Sequence, residues 1–104
     1  MKNRIHYSPE SLRDLDKIWE YIAEESSIEV AENVVNQIFG SIDKLEEFSE
    51  IGTVLYAIIN VSNEYRFLIS GQYLIFYRTK NHDVFVDRIL HCKQDYLRVL
   101  FGKS

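Results

Sequence analysis

The sequence lacks paired cysteines, spaced metal ligands and any long apolar run. Its single cysteine, Cys92, cannot form an intrachain disulfide and excludes a cysteine-based zinc framework. The three histidines, His6, His82 and His91, are scattered without the spacing of a metal site. We therefore expect no metal ligand, no cofactor and no redox chemistry in this protein.

Segments for membrane insertion or export are not evident either. No stretch approaches the roughly 20 apolar residues that a membrane-spanning helix requires. The first ten residues, MKNRIHYSPE, contain no apolar core of the kind found in secretion signals. We expect a cytoplasmic protein without membrane contacts, and its 104 residues predict one domain over residues 1–104.

Charge is divided unequally between the two halves of the chain. Residues 1–51 contain 12 acidic and 5 basic residues, whereas residues 52–104 contain 4 acidic and 7 basic residues. The first half is therefore net −7 and the second half net +3. An anionic ligand is expected on the second half, while the acidity of the first half also fits a solvated helical surface.

The first half predicts a strand followed by two helices. Residues 2–7 alternate weakly in hydrophobicity and predict a short strand. Ser8 and Pro9 then predict a helix start, since serine caps helices and proline suits the first helical position. The apolar stripe of this helix ends near Glu25. It comprises Leu12, Leu15, Ile18, Trp19 and Ile22.

A second helix is predicted to follow at once. Ser26 and Glu29 have the spacing of a capping box, in which each side chain bonds a free backbone N–H at the helix start. The apolar stripe predicts that this helix packs antiparallel on the first. It comprises Ala31, Val34, Val35, Ile38, Ile42, Leu45 and Phe48.

The second half predicts two hairpins after an irregular segment. Residues 52–62 are expected to form a loop with some extended structure. Residues 64–70 and 73–78 predict strands joined by Gly71 and Gln72 in a type II′ turn, with Arg66 opposite Tyr77. A four-residue loop over residues 80–83 is then expected. It would pair Thr79 with Val84, Tyr77 with Val86, and Ile75 with Arg88.

This register assigns the side chains of the sheet to two faces. One face is expected to be the floor for the helices and carries Phe67, Ile69, Leu74, Phe76, Phe85 and Ile89. The opposite face is expected to be open for a partner and gathers Arg66, Tyr73, Tyr77 and Arg88 among apolar neighbours. The arginines can alternatively serve as cross-strand ion-pair partners of Glu64, Asp83 or Asp87, and His91 as a structural hydrogen-bonding residue.

The order of these elements, with the segments YRFLISGQYLIFYR and RILHCKQDYLRVLF, resembles the RelE/ParE superfamily of toxins from bacterial type II toxin–antitoxin systems. The resemblance covers residues 3–101. It implies an α+β fold of order β-α-α-β-β-β with a short C-terminal helix, in which a helical hairpin packs on a mainly antiparallel sheet. It also implies a cognate antitoxin whose extended segment covers the open sheet face.

Two toxic mechanisms occur in the superfamily that this chain resembles. RelE-like toxins cleave mRNA on the ribosome without a metal, and this resemblance would make Arg66, Arg88, His91 and Tyr96 catalytic. ParE-like toxins instead bind and poison DNA gyrase. The residues nominated for binding a target or partner are Arg66, Tyr73, Tyr77, Arg88 and Lys93.

Departures from the RelE-like pattern favour the ParE-like alternative. Gln94 and Leu74 occupy positions where RelE-like members can carry arginine, and the isoelectric point near 5.3 disfavours approach to ribosomal RNA. The sequence therefore predicts a ParE-like gyrase poison. A RelE-like endoribonuclease and a non-toxic antitoxin-binding module remain the alternatives, so whether the chain is an enzyme stays open.

Overall fold

The computed structural model describes residues 2–102 and has an α+β fold, as the sequence predicts. The five strands lie in the order β1-β5-β4-β3-β2, with β1 parallel to β5 and the other pairs antiparallel. Within the described residues, no helix is both long and apolar enough to cross a membrane. The elements are β1 (Arg4–Tyr7), α1 (Pro9–Glu25), α2 (Ile28–Asp43), β2 (Thr53–Val54), β3 (Arg66–Ser70), β4 (Tyr73–Lys80), β5 (Asp83–His91) and α3 (Tyr96–Phe101).

Ser8 fixes the start of α1 against the sheet. Its hydroxyl oxygen accepts a hydrogen bond from the Ser11 backbone N–H at 2.9 Å, and Pro9 is the first helical residue, as predicted. The same hydroxyl donates to the Asp87 carbonyl at 2.7 Å, and the Ser8 N–H donates to the Val86 carbonyl at 3.0 Å. The helix cap and the end of the parallel β1–β5 ladder are therefore one hydrogen-bonded unit.

The predicted cap of α2 is wrong by one residue. Ser27 is the N-cap, and its hydroxyl oxygen accepts from the Val30 N–H at 3.1 Å. Ser26 instead terminates α1, where its backbone N–H donates to the Ile22 carbonyl. Because the third helical position is then Val30, Glu29 cannot complete a capping box.

The apolar stripe of α2 also ends earlier than predicted. The helix ends at Asp43, and a 3₁₀ turn over Lys44–Glu46 brings Leu45 into the core. Phe48 lies beyond this turn and is 60% exposed, so its assignment to the helical stripe is wrong. The tighter 3₁₀ geometry changes the direction of the side chains that follow it.

The structure confirms the register of the first hairpin. Arg66 lies opposite Tyr77, and the turn has a positive φ of 57° at Gly71 but none at Gln72, which fits a type II′ turn. The preceding segment is irregular with one extended piece, as predicted. It contains β2 and a 3₁₀ turn over Leu55–Ala57.

A β-bulge alters the second hairpin. Thr79 pairs with Val84 and Tyr77 with Val86, as predicted, but the ladder continues to Lys80 and Asp83 and leaves a two-residue turn in place of the expected four-residue loop. The register then shifts, so Ile75 faces Ile89 and its predicted pairing with Arg88 is wrong. The extra residue in β5 is Asp87, which has no partner in the ladder.

The helices cover the face of β3 and β4 that was predicted to be open, whereas Ile89 of β5 lies on the helix side as predicted. The helices pack on the face with Ile75 and Tyr77, while α3 and the segment before β3 cover the face with Phe76. Both faces are apolar, so strand alternation cannot decide which one receives the helices. The helix-side core comprises Leu15, Ile38, Ile42, Leu45, Ile75, Tyr77, Val84, Val86 and Ile89.

Candidate functional site

A cleft lies between α1 and the end of β5. It encloses about 480 Å³, a volume in the range of small-molecule sites. Its wall on α1 includes Lys17 and Tyr21, and Tyr73 of β4 lines the opposite side. We call it the α1–β5 cleft, and its other polar lining residues are Asp14, Arg88, His91, Lys93 and Gln94.

A second, more apolar cleft continues from the first. It encloses about 420 Å³ and shares Tyr21, Tyr73 and His91 with the α1–β5 cleft. Val30 and Val34 of α2 contribute to its wall. The two clefts therefore form a groove with a cationic end and an apolar end.

Arg88 is held at the wall of the α1–β5 cleft by Asp14. The two arginine nitrogens Nε and Nη2 each donate to one carboxylate oxygen at 2.8 Å, and the Ile89 N–H donates to the same carboxylate at 2.9 Å. Hydrogen bonding to Asp14 raises the pKa of Arg88 above its ordinary value. Because the pairing is bidentate, Arg88 has a fixed orientation and much of its charge is neutralised.

His91 is fixed by hydrogen bonds at both ring nitrogens. Its Nδ1 accepts from the Lys93 N–H at 3.1 Å, and its Nε2 lies 3.0 Å from the side-chain oxygen of Gln72. This network assigns the neutral tautomer that carries hydrogen on Nε2. The ring also packs edge-on against Tyr73 with centroids 5.4 Å apart. His91 therefore orients its neighbours, and a role as general base would require breaking these bonds.

In the part of the chain that the structure describes, the charges of the two cleft lysines are not neutralised by ion pairs. Within residues 2–102, Lys17 and Lys93 form no ion pair. Five other lysines and arginines in this range form ion pairs. Asp14, the carboxylate that lines the cleft, is already paired with Arg88. The paired cations are Lys2, Arg4, Arg13, Arg78 and Arg88. The cleft is therefore a locally cationic site on an acidic protein.

Tyr73 lines both clefts from the beginning of β4. Partial burial raises the pKa of its phenol, and the neighbouring Tyr21 adds to the effect. The hydroxyl consequently stays protonated at neutral pH and can act as a hydrogen-bond donor or acceptor.

Arg66 and Tyr77 brace a neighbouring loop. Arg66 donates to the carbonyls of Glu50 and Gly52 at 3.1 and 2.9 Å. The fully buried Tyr77 donates to the Ser49 carbonyl at 2.8 Å and accepts from the Gly52 N–H at 2.9 Å. Neither residue lines the α1–β5 cleft, so the structure gives both a visible structural role.

Tyr96 lies on the other side of the sheet. It belongs to α3 and packs against Phe76, with ring centroids 5.4 Å apart. His91 lines the cleft on the helix side, whereas Arg66 binds the loop at residues 50–52. Of the four residues nominated for RNA cleavage, Arg88 and His91 share the cleft, whereas Arg66 and Tyr96 lie elsewhere. Of the binding set, Tyr73, Arg88 and Lys93 share the cleft.

Helix α1 contributes to this site through residues that were not predicted from the sequence. Asp14, Lys17 and Tyr21 are spaced by three and four residues, which places them along one side of a helix. Asp14 stands among the charged residues Arg13, Asp16 and Lys17, so the local pattern carries no signal for its burial. Within the described residues, no group of three or more histidine, cysteine, aspartate or glutamate side chains is arranged to hold a metal.

Comparison with known proteins identifies relatives of the chain. The family described as ParE toxin of type II toxin–antitoxin system, parDE, matches residues 5–96. A solved structure described as the chromosomal ParDE TA system from P. aeruginosa superposes with a TM-score of 0.73 at 17% sequence identity, covering 86% of this chain and 96% of that chain. This second match concerns the fold alone. No curated protein matches the chain.

Proposed function

The chain belongs to the ParE toxin family of type II toxin–antitoxin systems, and we propose that its target is DNA gyrase, which it poisons without chemistry of its own. Such a system includes a cognate antitoxin as the partner of the toxin. We place its action in the cytoplasm, where gyrase works. The RelE-like alternative is not favoured by the family match.

The dispersal of the nuclease candidates is the observation that supports this target. Cleavage of RNA through its 2′-hydroxyl requires a base, an acid and phosphate-binding cations within hydrogen-bond reach of one another. Here Arg88 is bound to Asp14, Arg66 is bound to loop carbonyls, and Tyr96 packs on the opposite sheet face from His91. A toxin that acts by binding needs no such convergence.

The coverage of the sheet bears on how the antitoxin can bind. The expected open face, with Tyr77 and Ile75, is covered by the helices of the toxin itself. An antitoxin therefore cannot bind there without displacing them. We place the toxin's contacts with other molecules on its clefts and outer surface, with Tyr73, Arg88 and Lys93 of the nominated set among them.

A gyrase cleavage assay tests the proposed target. The purified full-length chain is incubated with gyrase, ATP and supercoiled plasmid, and trapped linear DNA is measured after detergent and protease treatment. We expect linear DNA to accumulate with the toxin and to disappear when the antitoxin is added first. Lys93→Ala should reduce the yield several-fold, whereas Lys44→Ala, an exposed lysine outside the α1–β5 cleft, should not.

Two results would contradict the proposal. The first is intact gyrase activity together with mRNA cuts at the A-site codon of programmed ribosomes, which would support the RelE-like alternative. The second is unaffected cell growth after induction without antitoxin, from a chain that still binds the antitoxin. That result would indicate a non-toxic binding module.

A further inference from the structure

We propose that the α1–β5 cleft is a binding site for a free nucleoside phosphate. The phosphate would lie between Lys17 and Lys93, and the base would lie against the rings of Tyr21 and Tyr73. This inference rests on the composition of the cleft and does not depend on gyrase being the target.

The positive charge of the cleft supports the proposed binding of the phosphate. The chain has a formal net charge of −4, yet two lysines without ion-pair partners among residues 2–102 line the same concave surface. The cleft carboxylate of Asp14 is already bound by Arg88 and by the Ile89 N–H. It cannot neutralise the lysines, so their charge is available to an anion.

The nearest acidic residues of α1 do not change this balance. Asp16 and Glu20 are exposed, and neither lines the cleft. Lys17 and Lys93 are exposed as well, but they line the concave surface, so a ligand held there lies closer to them than to these two carboxylates. A compact dianion or trianion therefore gains more from the cleft than it loses to the general acidity of the protein.

Two tyrosines support the proposed binding of the base. Tyr21 has 64% of its surface exposed, although its ring borders both clefts. Tyr73 is half-buried, and its ring is held by edge-on contact with His91. Aromatic side chains beside a cationic groove are the usual platform for bases, and each stacked base contributes roughly 1–3 kcal/mol.

Two side-chain amides add hydrogen-bonding capacity to the groove, Gln94 in the α1–β5 cleft and Gln72 in the adjoining apolar cleft. The Gln94 side-chain oxygen accepts from the His91 N–H at 2.8 Å. This bond fixes the amide and leaves its NH₂ group available as a donor. Gln72 is held in the same way, through its oxygen and the His91 ring. Their NH₂ groups supply donors for the carbonyl or ring-nitrogen acceptors of a base.

A mononucleotide fits these features better than a nucleic acid strand does. A long polyanion places phosphates along the whole protein surface, and its affinity grows with the number of cations that it meets. The cleft offers two lysines without ion-pair partners among the described residues, and residues 1–51 are net −7. The ligand class is therefore a small nucleotide rather than a strand.

Isothermal titration of the full chain with AMP, ADP and ATP tests this site directly, without gyrase. We expect a single site whose affinity falls with added salt, and at least about a tenfold loss in the double variant Lys17→Ala, Lys93→Ala, since bonds to charged groups are lost. The matched control is Lys44→Ala, Lys80→Ala, which removes the same charge from exposed positions outside the cleft. This control should bind as the unaltered chain does.

The base and the source of the phosphate are tested separately. Tyr21→Ala should weaken ATP several-fold and leave pyrophosphate unchanged, because only the nucleotide uses the ring. Absence of ATP binding at millimolar concentration, or equal loss in both lysine double variants, would overturn the site. A tenfold preference for an oligothymidylate over the mononucleotides would overturn the assignment to a small nucleotide.

Discussion

Asp14 is a nearly buried carboxylate, 8% exposed, whose three hydrogen bonds all reach β5. It binds the backbone at Ile89, beyond the point where β1 stops pairing with β5. The side chain therefore replaces a missing strand at this edge and also fixes Arg88. Removing it leaves a half-buried guanidinium and a buried N–H without partners.

At this residue scale we predict that Asp14→Ala lowers the free energy of unfolding by about 2–4 kcal/mol, because the cost of unpaired buried groups adds to the lost bonds. Urea unfolding followed by circular dichroism measures the change. Arg13→Ala removes a neighbouring exposed ion pair with Glu10 and should cost less than about 1 kcal/mol. Equal losses in the two variants would contradict the structural role of Asp14.

Gly52 shows a second residue-scale constraint. A Cβ atom added at this position would lie 2.5 Å from the Tyr77 hydroxyl and 2.9 Å from the Phe67 carbonyl oxygen. The close approach is what allows Tyr77 to bond this loop from within the core. The side chain of Tyr77, a nominated binding residue, therefore leaves no room for a larger residue in place of Gly52.

At the scale of elements, the α1–α2 connection is tight because one serine serves each helix. Ser26 ends α1 through its backbone, whereas Ser27 begins α2 through its side chain. Two adjacent residues of the same type therefore have different expected costs of substitution.

We predict that Ser27→Ala destabilises the protein by about 1 kcal/mol, since a helix loses its N-cap acceptor. Ser26→Ala is the matched control and should change stability by only a few tenths of a kcal/mol, because its backbone bond survives. Thermal or urea unfolding distinguishes the two variants. A larger loss of stability in Ser26→Ala than in Ser27→Ala would instead support the capping box predicted from the sequence.

For the whole molecule, four tyrosines make the stability of the fold depend on pH in the alkaline range. Burial raises the pKa of Tyr65, Tyr73 and Tyr77, and burial together with Asp43 and Glu46 raises the pKa of Tyr7 to about 12. The unfolded chain loses these protons near pH 10. The stability that the protonated phenols contribute is complete below pH 10 and is lost as the pH rises toward their folded-state values.

We therefore predict that stability falls between pH 10 and pH 12 and that Tyr7→Phe removes part of this fall, about 1–2 kcal/mol. Urea unfolding at pH 8 and at pH 11.5 measures the difference. Tyr56→Phe is the matched control, because 54% of that side chain is exposed, and its pH dependence should equal that of the unaltered chain. The same fall in all three proteins would show that Tyr7 does not contribute.

Local sequence signals were sufficient to predict the helices, the first hairpin and the family. These features follow from local signals: Ser8 and Pro9 at a helix start, apolar periodicity along α1, and Gly71 in a tight turn. Such signals act over a few residues and need no knowledge of the fold. The family follows because the order of the segments extends over nearly the whole chain.

The covering of the two sheet faces and the membership of the site depend on how distant segments pack. Both faces are apolar, so the choice between them depends on which one fits the helices and which one fits α3. The bulge at Asp87 reversed the alternation within β5. Asp14 binds Ile89, 75 residues away in the chain, and Lys17 and Tyr21 line the cleft with the same strand. Packing between distant segments depends on the complete fold, so it cannot be predicted from the pattern of neighbouring residues.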